Sequence, residues 1–156
     1  MQEELIENVT YDEVKLGDKA EFSKTLSEED IILFSKVSGD INPVHLDEEF
    51  ASNTVFKGRI AHGLWSASLV SAALGTVYPG PGTIYLGQSL SFKRPVRIND
   101  KLEVVLEVKQ KEDVSKAVIL NCRVTNQRGE IVLTGEANVI APTKKVSYNP
   151  YSDTNI

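Results

Sequence analysis

From Ile60 to Val77 the chain carries no Asp, Glu, Lys or Arg, and no other feature constrains its fold as strongly. Such a stretch either faces lipid or is buried by protein. His62, Gly63, Ser66, Ser68, Ser71, Gly75 and Thr76 make it too polar for a lipid-facing span. It is expected as a helix buried within the protein, with no membrane insertion, and Pro79-Gly80-Pro81-Gly82 ends it.

A buried helix needs a cover, and the second half of the chain supplies strands. Ile84, Leu86, Leu90 and Phe92 fall on one face of a first segment. Leu102, Val104, Leu106 and Val108 do so in the next, and Ile131, Leu133, Ala137 and Val139 in the last. Asn126 to Gly129 reads as the hairpin turn before that last strand. Before the uncharged stretch, Lys19 to Lys24 forms a short strand. A helix then opens at Ser27, with Asp30 three residues on, and closes at Gly39. Pro43 prevents residues 39–46 from continuing that helix, and Asp47 caps another short one running through Phe50 to Asn53. The class is α+β, an antiparallel sheet wrapped on a long helix.

At 156 residues there is room for one domain with a core, not for two. Residues 1–141 are assigned to it, and 142–156 are expected as a C-terminal extension with partial disorder. A net charge of −5 argues against nucleic acid as the main partner. The single cysteine, Cys122, alternates with Val118, Leu120 and Val124 and is read as a core thiol. It excludes an intrachain disulfide and fits a cytoplasmic setting. The sequence MQEELIENVTYDE lacks the basic and apolar regions of a secretory signal.

Both histidines, His45 and His62, fall in one short region. Asp40 lies five residues before His45, across Asn42-Pro43. A proline turn can bring that carboxylate and imidazole together for general acid–base work. The alternative is that Asp40 caps a turn and His45 is a surface residue. Gly63 stands where the uncharged helix begins, so it either offers a free helix-terminal amide to an anion or packs against a strand. His62 reads as a structural histidine. No nucleophile elbow, phosphate loop, HExxH or dinucleotide fingerprint is present, and two histidines without a nearby cysteine make a poor zinc set. No cofactor or metal is expected.

Three blocks resemble the MaoC-like family. They are Ser38-Gly39-Asp40-Ile41-Asn42-Pro43-Val44-His45-Leu46-Asp47, then Ala61-His62-Gly63-Leu64, then the run from Tyr85 to Val96. The third is similar to a strand signature of (R)-specific enoyl-CoA hydratases of the polyhydroxyalkanoate-supplying type. The resemblance implies the hot-dog fold, an acyl-CoA thioester substrate, and a homodimer joined sheet edge to sheet edge. It implies reversible syn addition of water to a trans-2-enoyl-CoA, with Asp40 and His45 as the catalytic pair and Gly63 N–H holding the thioester oxygen. Asn42 matches a position that shapes the loop, and Ser71 and Leu74 match positions lining the acyl pocket. Lys57, Arg59, Lys93 and Arg94 are the cations placed to meet the CoA phosphates.

Two rival readings share the fold. Hot-dog thioesterases and acyl-carrier-protein dehydratases commonly carry a carboxylate on the central helix, and Ile60 to Val77 has none. A non-catalytic acyl-CoA-binding subunit would be expected to lose Asp40 or His45, and both are present.

Overall fold

The structure, a computed structural model, describes residues 5–151. In chain order its elements are β1 (Ile6–Glu7), β2 (Lys19–Thr25), α1 (Glu28–Ser38), α2 (Pro43–Leu46), α3 (Glu48–Ser52) and α4 (Gly63–Ala72). A π-helical segment, Ala73–Val77, prolongs α4. There follow β3 (Ile84–Gln88), β4 (Ser91–Phe92), β5 (Lys101–Glu112), β6 (Ala117–Thr125), β7 (Ile131–Ile140) and β8 (Ser147–Tyr148). The main sheet is antiparallel in the order β2-β5-β6-β7-β3, with β4 also on β7. The fold is α+β of the hot-dog type, with the sheet packed on α4.

The core is the inner face of the sheet against one side of the helix. Leu102, Val104, Leu106 and Val108 of β5 are buried, as are Val118, Leu120, Cys122 and Val124 of β6. On α4 and its π-helical continuation two rows, Trp65-Leu69-Ala73 and Ser66-Val70-Leu74, are buried. Each large apolar side chain buried there contributes about 1.5–3 kcal/mol. The opposite side of α4 is uncovered, with Leu64 59% exposed and Gly63, Ser68, Ser71 and Gly75 also open. The helix expected to be buried is thus buried on one side only.

Local signals act where the sequence places them. Ser27 Oγ accepts from Asp30 N at 3.1 Å while the Asp30 carboxylate accepts from Ser27 N at 3.0 Å, a reciprocal cap. Gly39 closes α1 in the left-handed region, with φ 81°. Proline does stop α1, yet α2 starts on Pro43 itself, since a first helical position needs no amide donor.

Two strand assignments change. A bulge between Val124 and Thr125 leaves Val132 as the extra residue opposite them. Val132 is therefore buried and Ile131 exposed, the reverse of strict alternation. The segment read as one strand from Ile84 to Phe92 is broken into β3 and β4, and Ile84, Leu86 and Phe92 are exposed. At the break the Ser89 carbonyl lies over Gly135, where a Cβ would come within 1.9 Å of that oxygen, so β7 needs glycine there. After Ala141 the chain returns to pair β8 with β1. The remainder of the expected extension, 152–156, lies outside the described residues.

Candidate active site

The segment between α1 and α4 is held by polar contacts and a small apolar knot of Val44, Ala51 and Ile60. Asn42 caps α2, its side-chain oxygen accepting from Val44 N at 3.1 Å. Asp40 Oδ1 accepts from Asn42 N at 3.1 Å, which fixes the carboxylate while leaving its other oxygen free to face inward. His45 on α2 is buried, and its Nδ1 stands 2.8 Å from the Ile60 carbonyl. A carbonyl only accepts, so Nδ1 carries the proton and Nε2 presents a bare lone pair.

That lone pair faces Asp40. Nε2 lies 3.8 Å from Asp40 Oδ2, too far for a direct hydrogen bond. Two acceptors at that spacing suit one water oxygen standing about 2.8 Å from each, with a hydrogen aimed at either. Burial pushes the His45 imidazole below its ordinary value of about 6.5, and His62 nearby pushes the same way. The bond to Ile60 O and the charge of Asp40 oppose this, less strongly. His45 is thus poised neutral and able to accept a proton near pH 7.

Asp40 opens onto a cavity of about 470 Å³ that also meets Phe34, His62, Gly63 and Phe92. Gly63 is the first residue of α4, and its amide makes no hydrogen bond among the described residues. Helix-terminal amides of this kind favour an anionic oxygen. The strand-packing reading of Gly63 holds as well. A Cβ there would meet the Phe92 ring at 2.9 Å, so glycine both seats Phe92 and leaves its N–H accessible.

The remaining expected residues divide by place. Lys93 and Arg94 line an adjoining hollow of about 280 Å³ that shares His62, Gly63 and Phe92 with the Asp40 cavity. Arg94 also pairs with Glu130 at 3.4 Å. Lys57 sits at a surface turn with φ 58°, beside a hollow shared with Arg59 and Arg97. Arg59 turns inward instead: its Nε donates to the His45 carbonyl at 2.7 Å and its Nη1 pairs with Glu28 at 2.8 Å. Ser71 lies on the open side of α4, and Leu74 is fully buried in the core. Neither borders the two cavities at Gly63.

Sequence reasoning passed over Phe34, Ser35 and Phe92. Phe34 tilts against His62 at 4.9 Å, Ser35 Oγ lies 3.1 Å from His62 Nε2, and Phe92 walls both cavities. A serine with an apolar side of α1 around it was the available signal for Ser35. Asp40, His45 and His62 each place a donor atom within 4.8 Å of the others, as a metal site would need. The two imidazoles, however, are stacked at 3.8 Å and 27°, so their lone pairs run side by side rather than toward one point. The arrangement suits proton transfer.

A hot-dog sheet and helix with an acid–imidazole pair at the helix N-terminus define a class of acyl-thioester enzymes. A family model described as the MaoC like domain matches residues 12–128, and the chain belongs to that family. It is 46% identical over 134 residues to an (R)-specific enoyl-CoA hydratase of Rhodospirillum rubrum, covering 86% of this chain and 92% of that one. It is 42% identical over 135 residues to a 3-hydroxybutyryl-CoA dehydratase of Methylorubrum extorquens, covering 86% and 85%. Among solved structures, the unliganded R-hydratase PhaJ1 of Pseudomonas aeruginosa superposes with a TM-score of 0.91 at 48% identity, over 98% of both chains. No helix among the described residues is long and apolar enough to cross a membrane.

Proposed function

We propose that the protein is an (R)-specific enoyl-CoA hydratase, adding water reversibly to trans-2-enoyl-CoA to give (R)-3-hydroxyacyl-CoA. The observation that carries this reading is the pair of acceptors, His45 Nε2 and Asp40 Oδ2, 3.8 Å apart, on a cavity shared with Gly63, whose amide has no partner among the described residues. Water held by both hydrogens keeps an oxygen lone pair for the β-carbon of the enoyl group. As the C–O bond forms, one of the pair takes a water proton and electron density moves to the thioester oxygen. Gly63 N–H meets the charge developing there, a contact of a kind worth about 3 kcal/mol. A proton then returns to the α-carbon. Because the pair stands on one side of the bound acyl group, both additions occur on the same face. Asn42 and Arg59 act through the loop that carries the pair, and Lys93 and Arg94 at the adjoining hollow are placed to meet the CoA phosphates. Ser71, on the open side of α4, is proposed to border the acyl chain, whereas Leu74 is sealed in the core and is not assigned to the pocket.

The catalytic unit is proposed to be a homodimer. β3 is an edge strand carrying exposed Ile84 and Leu86, and the open side of α4 also lacks cover, a combination that favours a second copy. A cytoplasmic location is supported by the free, buried Cys122.

Incubation with crotonyl-CoA tests the reaction. The absorbance of the conjugated thioester should fall, and the product should be oxidised by an (R)-specific but not an (S)-specific 3-hydroxyacyl-CoA dehydrogenase. Release of free CoA thiol, or no hydration at any chain length, would overturn it.

A further inference from the structure

We infer that His62 is a positioning residue of the hydration site, its ring holding the Asp40 backbone by one edge and the His45 imidazole by one face. The inference rests on the function proposed above. His62 is 3% exposed. Its Nε2 lies 3.0 Å from the Asp40 carbonyl and 3.1 Å from Ser35 Oγ. The carbonyl can only accept, so the proton sits on Nε2 and is shared between these two oxygens. One N–H thereby ties α1, the Asp40 loop and the start of α4 together. The ring also stacks on His45 at 3.8 Å between centroids, while Phe34 of α1 tilts against it.

The other nitrogen, Nδ1, is buried with no partner among the described residues. The ring face lies against His45, which becomes an imidazolium if it takes the water proton, and an aromatic face can lie against that charge. The charged groups around His45 include Asp40 on its own loop, Arg59, bonded to the His45 carbonyl and paired with Glu28 of α1, and Glu48 of α3, which accepts from Arg59 N at 3.2 Å. His62 is the ring packed on the His45 imidazole itself.

Two substitutions separate the two roles. His62→Phe keeps a ring face and removes the donor; His62→Gln keeps a donor and removes the ring. With crotonyl-CoA, His62→Phe should lower kcat by roughly 10–100-fold, as a small misplacement of reacting groups does, with KM changed by less than about threefold. His62→Gln should lower kcat by less, about tenfold or under. In both, the acid limb of kcat/KM should move to higher pH, because His62 helps hold the His45 pKa down. A purely structural residue would reduce the folded fraction and leave KM and the acid limb in place. Wild-type kcat and an unmoved acid limb in both folded variants would overturn the inference, as would losses matching the unfolded fraction. If His62→Phe does not fold, the acid limb of His62→Gln decides. A wild type that cannot hydrate crotonyl-CoA overturns this inference and the proposed function together; an active wild type with unaffected variants overturns only this one.

Discussion

The β5–β6–β7 face and the segment from Gly39 to Gly63 are built on different physics. The sheet face is held by area: Leu102, Val104, Leu106, Val118, Leu120 and Val124 are essentially sealed from water. The segment carries a small apolar knot of Val44, Ala51 and Ile60, with Phe56 packed against it. It is held at points, by the Asn42 cap, the Arg59 bond to the His45 carbonyl, and the His45 bond to Ile60. Area gives stability with tolerance in position. Point contacts give position with little stability, which is what an acid–base pair requires. Damage to the two regions should therefore separate cleanly into loss of rate and loss of folding.

The largest effect should follow His45→Asn. Asparagine can still donate to the Ile60 carbonyl from a position near that of Nδ1, but it presents no base at Nε2. Crotonyl-CoA hydration should fall by about 10²–10⁴-fold, while the melting temperature stays close to wild type. Leu106→Ala should do the opposite. It should cost about 2–5 kcal/mol in denaturant unfolding and leave kcat per folded molecule unchanged. A mutant of either region that damages both properties equally would break the comparison.

The smallest effect lies in pH. The folded His45 pKa is lowered from about 6.5 by burial first, so the unfolded chain binds the proton more readily. His45's contribution to stability is then fully present above about 6.5 and is lost as the pH falls through the folded value. The acid limb of kcat/KM should accordingly lie below about 6.5. An acid limb above that value would show that His45 is not held neutral by its surroundings.

The sheet was legible in the sequence because β5 and β6 bury one face each, so apolar residues recur at every second position. The capped ends of α1 and α3 were legible because Ser27, Gly39 and Asp47 act on neighbouring backbone. Legibility failed where tertiary structure intervened. Ile131 and Val132 exchange faces across a bulge, and β3 and β4 part where Ser89 crosses Gly135. The open side of α4 was hidden because a chain without charges reads alike whether a partner or its own sheet is expected to cover it. At the site, Asp40, Asn42 and His45 stood out through a short-range turn. Arg59 was marked by charge alone, which cannot tell a phosphate ligand from a clamp on a backbone carbonyl. His62 stacks on a residue seventeen positions earlier, a contact no local pattern encodes.

Asp40→Asn tests the central claim most directly. The amide keeps the side chain's shape and can still accept from Asn42 N, but it is no longer a carboxylate facing His45 Nε2. Steady-state hydration of crotonyl-CoA should show kcat reduced by at least about 100-fold, with an unchanged melting temperature and a KM within a few-fold of wild type. A folded Asp40→Asn protein that hydrates crotonyl-CoA at the wild-type rate would contradict the account, because water would then be activated without the pair.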